Sequence, residues 1–171
     1  MKRFLIVFVL VMLGAYGLVY LPPIRDHIIA PFTEGITYLS GWLIQTFGGA
    51  VSIQGNILTI PGFAVQVLDM CNGVEATIIL WAAMLAFPAS GIYKLKGLVI
   101  GTLTVHTLNI IRIISLLYLG AYYREWFDWV HWYLWDALIM LDILIVFLAW
   151  VRLMPFQEQP TTSDAREASF V

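Results

Sequence analysis

The single cysteine of the chain, Cys71, is its strongest candidate for a nucleophile. A thiol performs acyl transfer when a base or a positive field makes it a thiolate and when donors stabilise the oxyanion formed on attack. Arg112 is a suitable oxyanion donor, and His131 is a suitable general base that later acts as an acid. Cys71, Arg112 and His131 therefore predict a cysteine-dependent acyl-transfer site.

Two residues just after the cysteine support this chemistry. Gly73 stands where the chain turns from a strand into a helix, which leaves backbone N–H groups and the positive helix end facing the sulfur. Glu75 follows Cys71 by four residues and is the expected carboxylate partner of Arg112, provided that the helix starts early. Both residues are predicted to support the site.

Further support is expected from the elements that carry the arginine and the histidine. Asn109 precedes Arg112 by three residues, so both lie on one helix face, where the amide can hold the guanidinium or cap a carbonyl. Asp136 follows His131 by about one helical turn and can orient the imidazole. His106 and Asp142 lie deeper, and we expect them to pair with each other in a structural role.

Composition indicates that a membrane surrounds these elements. The chain has 171 residues, of which 61% are hydrophobic and 12% charged, with a mean hydropathy of +0.86. One soluble core of this size cannot bury so much apolar surface. The net charge of −2 argues against nucleic-acid binding, and one cysteine excludes an internal disulfide framework and a thiol-based zinc cluster. No metal or cofactor is expected.

The predicted fold class is an all-α integral membrane bundle of about four transmembrane helices, with a small extracytoplasmic β-hairpin and an interfacial amphipathic helix. One membrane domain covers residues 1–154, and a disordered cytoplasmic tail covers 155–171. Placing both termini inside puts six basic residues in the cytoplasm and only Arg25 and Arg124 outside, which satisfies the positive-inside rule. The apolar runs predict spans over residues 4–21, 74–88, 97–119 and 132–153.

The outer segment 22–73 is expected to position the cysteine. An amphipathic helix over residues 36–51 is predicted to lie on the outer membrane surface. Residues 51–68 then alternate between apolar and polar types around Gly55-Asn56 and Pro61-Gly62, which predicts a hairpin with a third strand. This hairpin delivers Cys71 to the outer mouth of the second span.

The order of these motifs resembles the exosortase/archaeosortase family of multi-span cysteine proteases and transpeptidases. Cys71-x-Gly73 heads one span, Asn109-x-x-Arg112 lies near the outer end of the next, and His131 heads the last. The resemblance covers roughly residues 51–153. The chain is shorter than the larger members and resembles a compact subtype such as exosortase H.

The resemblance implies a function at the outer face of a prokaryotic cytoplasmic membrane. Substrates would be membrane-anchored proteins with a C-terminal signal made of a short motif, a transmembrane helix and a basic cluster. The enzyme would cleave near the motif and transfer the protein to an envelope acceptor, such as a lipid or another envelope component.

Two other classes of function stay open from the residues alone. One is a small membrane carrier that uses a polar path through Arg112, His106, Asp136 and Asp142, although no inverted repeat is present. The other is a non-catalytic envelope assembly factor whose hairpin binds a partner strand. Taken singly, Cys71 also fits a packing residue, Arg112 a residue that reaches the outer headgroups, and His131 a member of an interfacial aromatic belt. Only an enzyme should lose its function on Cys71→Ala.

Overall fold

The structure, a computed structural model, describes residues 2–154 apart from the side chain of Asp136. The predicted tail over 155–171 lies outside the described residues. Seven α-helices and three strands follow one another along the described chain. They are α1 (Lys2–Val19), α2 (Pro22–Ile24), α3 (Ala30–Thr46), β1 (Ser52–Gln54), β2 (Ile57–Ile60), β3 (Phe63–Gln66), α4 (Val74–Ala86), α5 (Gly91–Tyr122), α6 (Arg124–Trp129) and α7 (Trp135–Arg152).

Within residues 2–154, two helices are long and apolar enough to cross a bilayer, namely α1 and α5. A third span results if Arg124–Leu134 and Ala137–Arg152, which bend by 41° at their junction, are taken as one. Helix α4 has 13 residues and is therefore about 20 Å long, against roughly 30 Å of hydrocarbon. The helical membrane architecture is as predicted, whereas the count of four spans stays a prediction.

Helix α1 shows most directly that lipid is the surrounding solvent. It packs along α4, yet none of its residues is buried within the protein. Its residues are apolar on every face, partly covered where α1 meets α4 and exposed elsewhere, with Leu10 and Leu13 about two-thirds exposed. A helix that is apolar on every face and unburied by protein is stable in hydrocarbon and not in water.

Contacts place the start of the chain, the α4–α5 connection and the end of α7 at one end of the bundle. Lys2 and Phe87 line one cleft together with Phe147, and the Tyr93 hydroxyl donates to the Trp150 carbonyl at 2.8 Å. Gly97 allows this close approach, because a Cβ there would overlap the Trp150 indole. The shared end agrees with the predicted clustering of basic residues, and its cytoplasmic location stays a prediction.

The predicted small sheet is present, with three antiparallel strands in the order β1-β2-β3. Ser52 pairs with Thr59 across the first turn, and Ile57 pairs with Gln66 across the second. Gly55 and Gly62 occupy the two turns with φ of 55° and 89°, a conformation that glycine adopts without strain. The sheet packs against α3 and α5 and carries the fully buried Leu58.

The helix predicted over 36–51 begins earlier and ends earlier in the structure. Helical turns run from Pro22 through a π-helical segment, Arg25–Ile29, into α3, which ends at Thr46. The polar residues Thr37 and Ser40 face the interior and not an aqueous surface, because each hydroxyl bonds the carbonyl four residues before it at 2.8 Å. A polar residue whose hydroxyl is satisfied by its own helix can be buried. The predicted bounds of this helix are therefore wrong, and part of its polar face is buried.

Two hydrophobic clusters divide the protein into layers. One joins α3, the sheet and the second half of α5, and consists of Ile36, Ile44, Leu58, Ile60, Val67, Ile113 and Leu117. The other joins α4, α7 and the first half of α5, and consists of Ala76, Leu80, Met84, Val105, Ile143 and Trp150. Helix α5 has 32 residues, about 48 Å, and runs through both layers. The predicted site residues of α5, Asn109 and Arg112, lie where the layers meet.

Candidate active site

Cys71 ends a short 3-10 turn, Asp69–Cys71, that links the sheet to α4. Its backbone N–H donates to the Leu68 carbonyl at 2.8 Å, and its side chain is half-buried. Gly73 follows with φ of 86°, which favours glycine, and α4 begins at Val74. The predicted turn from strand into helix is therefore present, with the cysteine on it.

Asn72 fixes this turn in place. Its side chain is fully buried, its Nδ2 donates to Thr33 Oγ1 at 2.9 Å, and its Oδ1 accepts the Val74 N–H at 2.9 Å. The second bond satisfies a donor at the start of α4, and the first ties the turn to α3. The sequence analysis assigned no role to Asn72, although an asparagine one residue before a helix-starting glycine is itself a capping signal.

The attachment of the turn to α3 continues through Asp69. The Thr33 hydroxyl lies 3.0 Å from Asp69 Oδ1 and 2.9 Å from the Ile29 carbonyl, and the Arg25 Nε lies 3.4 Å from Asp69 Oδ2. Polar contacts therefore hold both sides of Cys71 against the start of the α3 region. Neither Thr33 nor Asp69 was predicted, because nothing in their spacing shows that α3 passes beside the cysteine.

Asn72→Ala should loosen the turn. The change removes the cap of α4 and leaves the buried Thr33 hydroxyl without its donor, at a cost of about 1–3 kcal/mol. We expect the melting temperature in detergent to fall by roughly 3–10 °C. Thr46→Ala, which removes an exposed hydroxyl bonded only to the Trp42 carbonyl, is the control and should leave it unchanged. Equal melting of both variants would show that Asn72 does not hold the turn.

A small cavity of about 20 Å³, room for about one water molecule, lies beside Gly73 between α4, α5 and α7. Asn109 and Arg112 line it from α5, each only 4% exposed, and Asp142 lines it from α7. Gly73, Asn109 and Arg112, which the sequence predicts to share a site, therefore line one cavity. Asp142, predicted to be structural and remote, borders the same cavity.

The amide of Asn109 is the most unusual polar group of this cavity. Neither its Nδ2 nor its Oδ1 has a hydrogen-bond partner among the described residues, so the expected bond to the Arg112 guanidinium is not made. An unsatisfied buried polar group costs about 1–3 kcal/mol and calls for an explanation. A polar group of a bound ligand, or a water molecule, would supply the missing partners.

His106 lies much closer to the cysteine turn than predicted. A Cβ on Gly73 would lie 3.0 Å from His106 Nδ1, and His106 Nε2 lies 3.4 Å from the Thr77 hydroxyl. The expected pairing with Asp142 is wrong, since no hydrogen bond or ion pair joins the two within residues 2–154. The prediction placed His106 far below Cys71 in the membrane. In the structure the cysteine turn contacts the middle of α5, where His106 lies, and not its outer end.

Glu75 points to α1 and not to Arg112. The Tyr20 hydroxyl donates to Glu75 Oε1 at 3.0 Å, and this hydrogen bond and the charge of Glu75 raise the pKa of Tyr20. Tyr20 therefore remains a protonated donor at neutral pH. The expected pairing of Glu75 with Arg112 is wrong, because α4 begins only at Val74 and its first turn presents Glu75 to the end of α1.

His131 lies in a π-helical segment, Val130–Leu134, just before α7. Its ring stacks on Phe127 with centroids 5.6 Å apart and meets Trp132 edge-on at 5.3 Å. Trp135, one turn further on, lines the cavity beside Arg112, so His131 lies about one turn from that wall. π-helical turns are frequent at functional sites. The predicted role of the Asp136 carboxylate lies outside the described residues.

The structure brings Gly73, Asn109 and Arg112 together at one cavity, whereas Cys71 and His131 are not among the residues that line it. Acyl transfer needs a nucleophile, an oxyanion donor and a base. A thiol stands on a fixed turn, a buried guanidinium and a buried amide line an adjoining cavity, and an imidazole lies on the neighbouring helix. A buried cation stabilises developing negative charge more strongly than an exposed one.

Comparison with known proteins gives one family. The family model described as transmembrane exosortase (Exosortase_EpsH) matches residues 2–151. No curated protein matches the chain. No solved structure matches it either.

Proposed function

The chain belongs to the transmembrane exosortase family, and we propose that it is a membrane-embedded cysteine transpeptidase that cleaves a C-terminal sorting signal. One observation carries the proposal. The turn that bears Cys71 closes directly onto the face of α5 that bears Asn109 and Arg112, with Gly73 at the contact. Glycine suits this position, since its φ is 86° and a Cβ would lie in tight contact with His106, 3.0 Å from Nδ1.

The first half of the proposed reaction forms a thioester. His131 takes the proton of the Cys71 thiol, and the thiolate attacks the carbonyl carbon of the scissile peptide bond. A sulfur–carbon bond forms, and the carbonyl π electrons move onto oxygen to give a tetrahedral oxyanion. When the oxyanion collapses, the carbon–nitrogen bond breaks and the departing amine takes the proton from His131.

The second half transfers the acyl group. An acceptor nucleophile gives its proton to His131 and attacks the thioester carbon. The carbon–sulfur bond then breaks, Cys71 leaves as a thiolate, and His131 returns the proton to it. Water in place of the acceptor would give hydrolysis.

Arg112 is assigned to the oxyanion. Its guanidinium is 4% exposed and lines the cavity beside Gly73, two residues after the nucleophile. Removal of one preorganised oxyanion donor typically lowers kcat by about 10²- to 10³-fold. Asn109 shares the cavity and is a supporting residue.

Helix lengths support a site at the outer face of the cytoplasmic membrane. Helix α1 has 18 residues and Asn109 follows Gly91 by 18, so both reach about 27 Å from the end of the bundle where they begin. That distance nearly crosses a hydrocarbon layer of roughly 30 Å. With both termini in the cytoplasm of a prokaryote, the cysteine turn lies at the outer boundary.

The proposed substrates are membrane-anchored proteins that carry a motif, a transmembrane helix and a basic cluster at the C-terminus. The transfer product would be attached to an envelope acceptor, a lipid or another envelope component. Assignment to the compact subtype exosortase H belongs to the same proposal. The carrier alternative gains no support from the fold, because His106 and Asp142 have different neighbours and form no shared pair among the described residues.

Trapping of the thioester tests this function. A candidate substrate is expressed with the chain, membranes are solubilised in acid, and the chain is analysed by mass spectrometry. We expect an adduct on Cys71 with the mass of the substrate lacking its tail, and we expect hydroxylamine to remove it. Tail removal without any adduct on Cys71 would contradict the thioester route.

Labelling of intact cells tests the location. Because Cys71 is the only cysteine of the chain, a membrane-impermeant thiol reagent reports on one atom. We expect labelling of intact cells at a rate similar to that of permeabilised cells, and no labelling of Cys71→Ala. Labelling only after permeabilisation would place the cysteine turn in the cytoplasm and overturn the predicted topology.

A further inference from the structure

A groove of about 290 Å³, here called the outer groove, lies beside the cysteine turn and shares no lining residue with the Arg112 cavity. Tyr20, Arg25 and Ile29 line it from the chain that follows α1, and Asp69, Met70 and Glu75 line it from the two sides of Cys71. The lining includes residues before and after Cys71 but not Cys71 itself, so an occupant of the groove lies next to the turn that carries the proposed nucleophile. The volume is near the lower end for ligand pockets.

The walls of the groove combine exposed apolar surface with free hydrogen-bonding capacity. Met70 is 63% exposed although it stands next to Cys71. Arg25 contacts Asp69 only through Nε, and its terminal nitrogens have no hydrogen-bond partner among the described residues. Glu75 accepts the Tyr20 hydroxyl through Oε1 alone in the described part of the chain. An extended peptide needs such a mixture, apolar contact for side chains and donors and acceptors for its backbone.

We propose that the outer groove binds the extended sorting-motif segment of the substrate next to the scissile bond. The inference rests on the proposed transpeptidase function and locates its recognition site. A transmembrane helix of the substrate does not suit the groove, because its rim holds three ionisable groups, Arg25, Asp69 and Glu75. An anionic lipid headgroup does not suit it either, because two carboxylates outnumber one guanidinium.

Disulfide cross-linking tests the proposal. Cys71→Ala removes the only thiol of the chain, so an introduced cysteine is the only one that can cross-link, and the variant should not cleave the substrate. Met70→Cys and Tyr20→Cys are each added to that variant, on opposite walls of the groove. The matched control is Phe47→Cys, which is 88% exposed and lines a different cleft between α3 and α5. The substrate carries one cysteine, placed either in its motif or in its transmembrane helix.

After oxidation of membranes that contain both proteins, a non-reducing gel measures the yield of the mixed disulfide. We expect the Met70→Cys and Tyr20→Cys chains to cross-link to the motif cysteine at least about tenfold more than the Phe47→Cys chain. Equal yields from all three chains, or cross-linking only to the cysteine of the substrate helix, would overturn the proposal.

Cleavage of the same cysteine-bearing substrates by the wild-type chain separates this proposal from the function on which it rests. If the substrate is cleaved and neither groove cysteine exceeds the control, the groove is not the recognition site and the transpeptidase function stands. If the wild-type chain fails to cleave a substrate that it is shown to bind, the function fails and the groove proposal fails with it.

Discussion

Cys71→Ala should abolish removal of the substrate tail, with a loss of at least about 10³-fold in rate. The change removes the only thiol in the chain, so no other side chain of the same type can replace the nucleophile. Cys71 is half-buried on a turn whose backbone bonds do not involve the sulfur, and the variant should therefore still fold and insert. Co-expression with a substrate, followed by gel analysis of its size, measures the loss.

Cys71→Ser is the companion variant for this measurement. It keeps a hydroxyl of similar size, which is a far weaker nucleophile at neutral pH, so we expect it to be inactive as well. Equal membrane levels of the wild-type chain and both variants show that insertion is unaffected. Processing at the wild-type rate by Cys71→Ala would remove the enzyme function and leave a carrier or an assembly factor.

Arg112→Lys should lower the processing rate by about 10²- to 10³-fold while the protein still inserts. A lysine keeps the positive charge but lacks the planar set of N–H donors. Its amine, on a flexible stem, cannot donate two parallel hydrogen bonds as a guanidinium does. The buried position makes the difference larger, because charge interactions at a buried site are screened less than at the surface. Single-turnover rates of tail removal, measured with saturating substrate, separate this effect from weaker binding.

Arg124→Lys supplies the matched control. Arg124 is exposed at the start of α6, with its guanidinium 5.6 Å from the centre of the Phe63 ring, and a lysine can make a similar contact. We expect this variant to process substrate at the wild-type rate. If Arg112→Lys also retained that rate, Arg112 would have no part in oxyanion stabilisation.

The sequence predicted those parts of the fold whose signals are local. Glycine-containing turns after β1 and β2 fixed the hairpins, because few other residues adopt a positive φ. The three-residue spacing of Asn109 and Arg112 predicted one helix face, and both residues line one cavity. Gly73 was predicted at the turn, and the structure adds that it has a positive φ and lies against α5, where a Cβ would be in tight contact with His106.

The relative level of the helices could not be read from the sequence. Spans were assumed to end together, whereas α5 continues for 13 residues beyond Asn109 to support the sheet. For that reason His106 contacts the cysteine turn instead of lying far below it. The partner of Glu75 depended on the first residue of α4, and helix ends are uncertain by one or two residues in any sequence-based assignment.

The contacts of α3 were beyond prediction for a different reason. Asn72 and Thr33 are 39 residues apart and meet only because α3 passes beside the turn. Ser40 lies in the helix that was predicted for the outer surface, yet its bond to its own helix allows it to be buried. Small hydroxyl residues are therefore ambiguous signals in a membrane protein.

The unbroken course of α5 has a consequence for which peptide bonds can react. A rigid helix holds the cysteine turn about 27 Å from Gly91, a distance that no side-chain motion alters. A substrate anchored by its own helix can present a bond at that level only when the correct number of residues separates bond and helix. Selection by spacing would then act beside selection by motif. If a few residues were inserted between the scissile bond and the transmembrane helix of a substrate, the bond would no longer lie at the level of the Cys71 thiol, even with an intact motif.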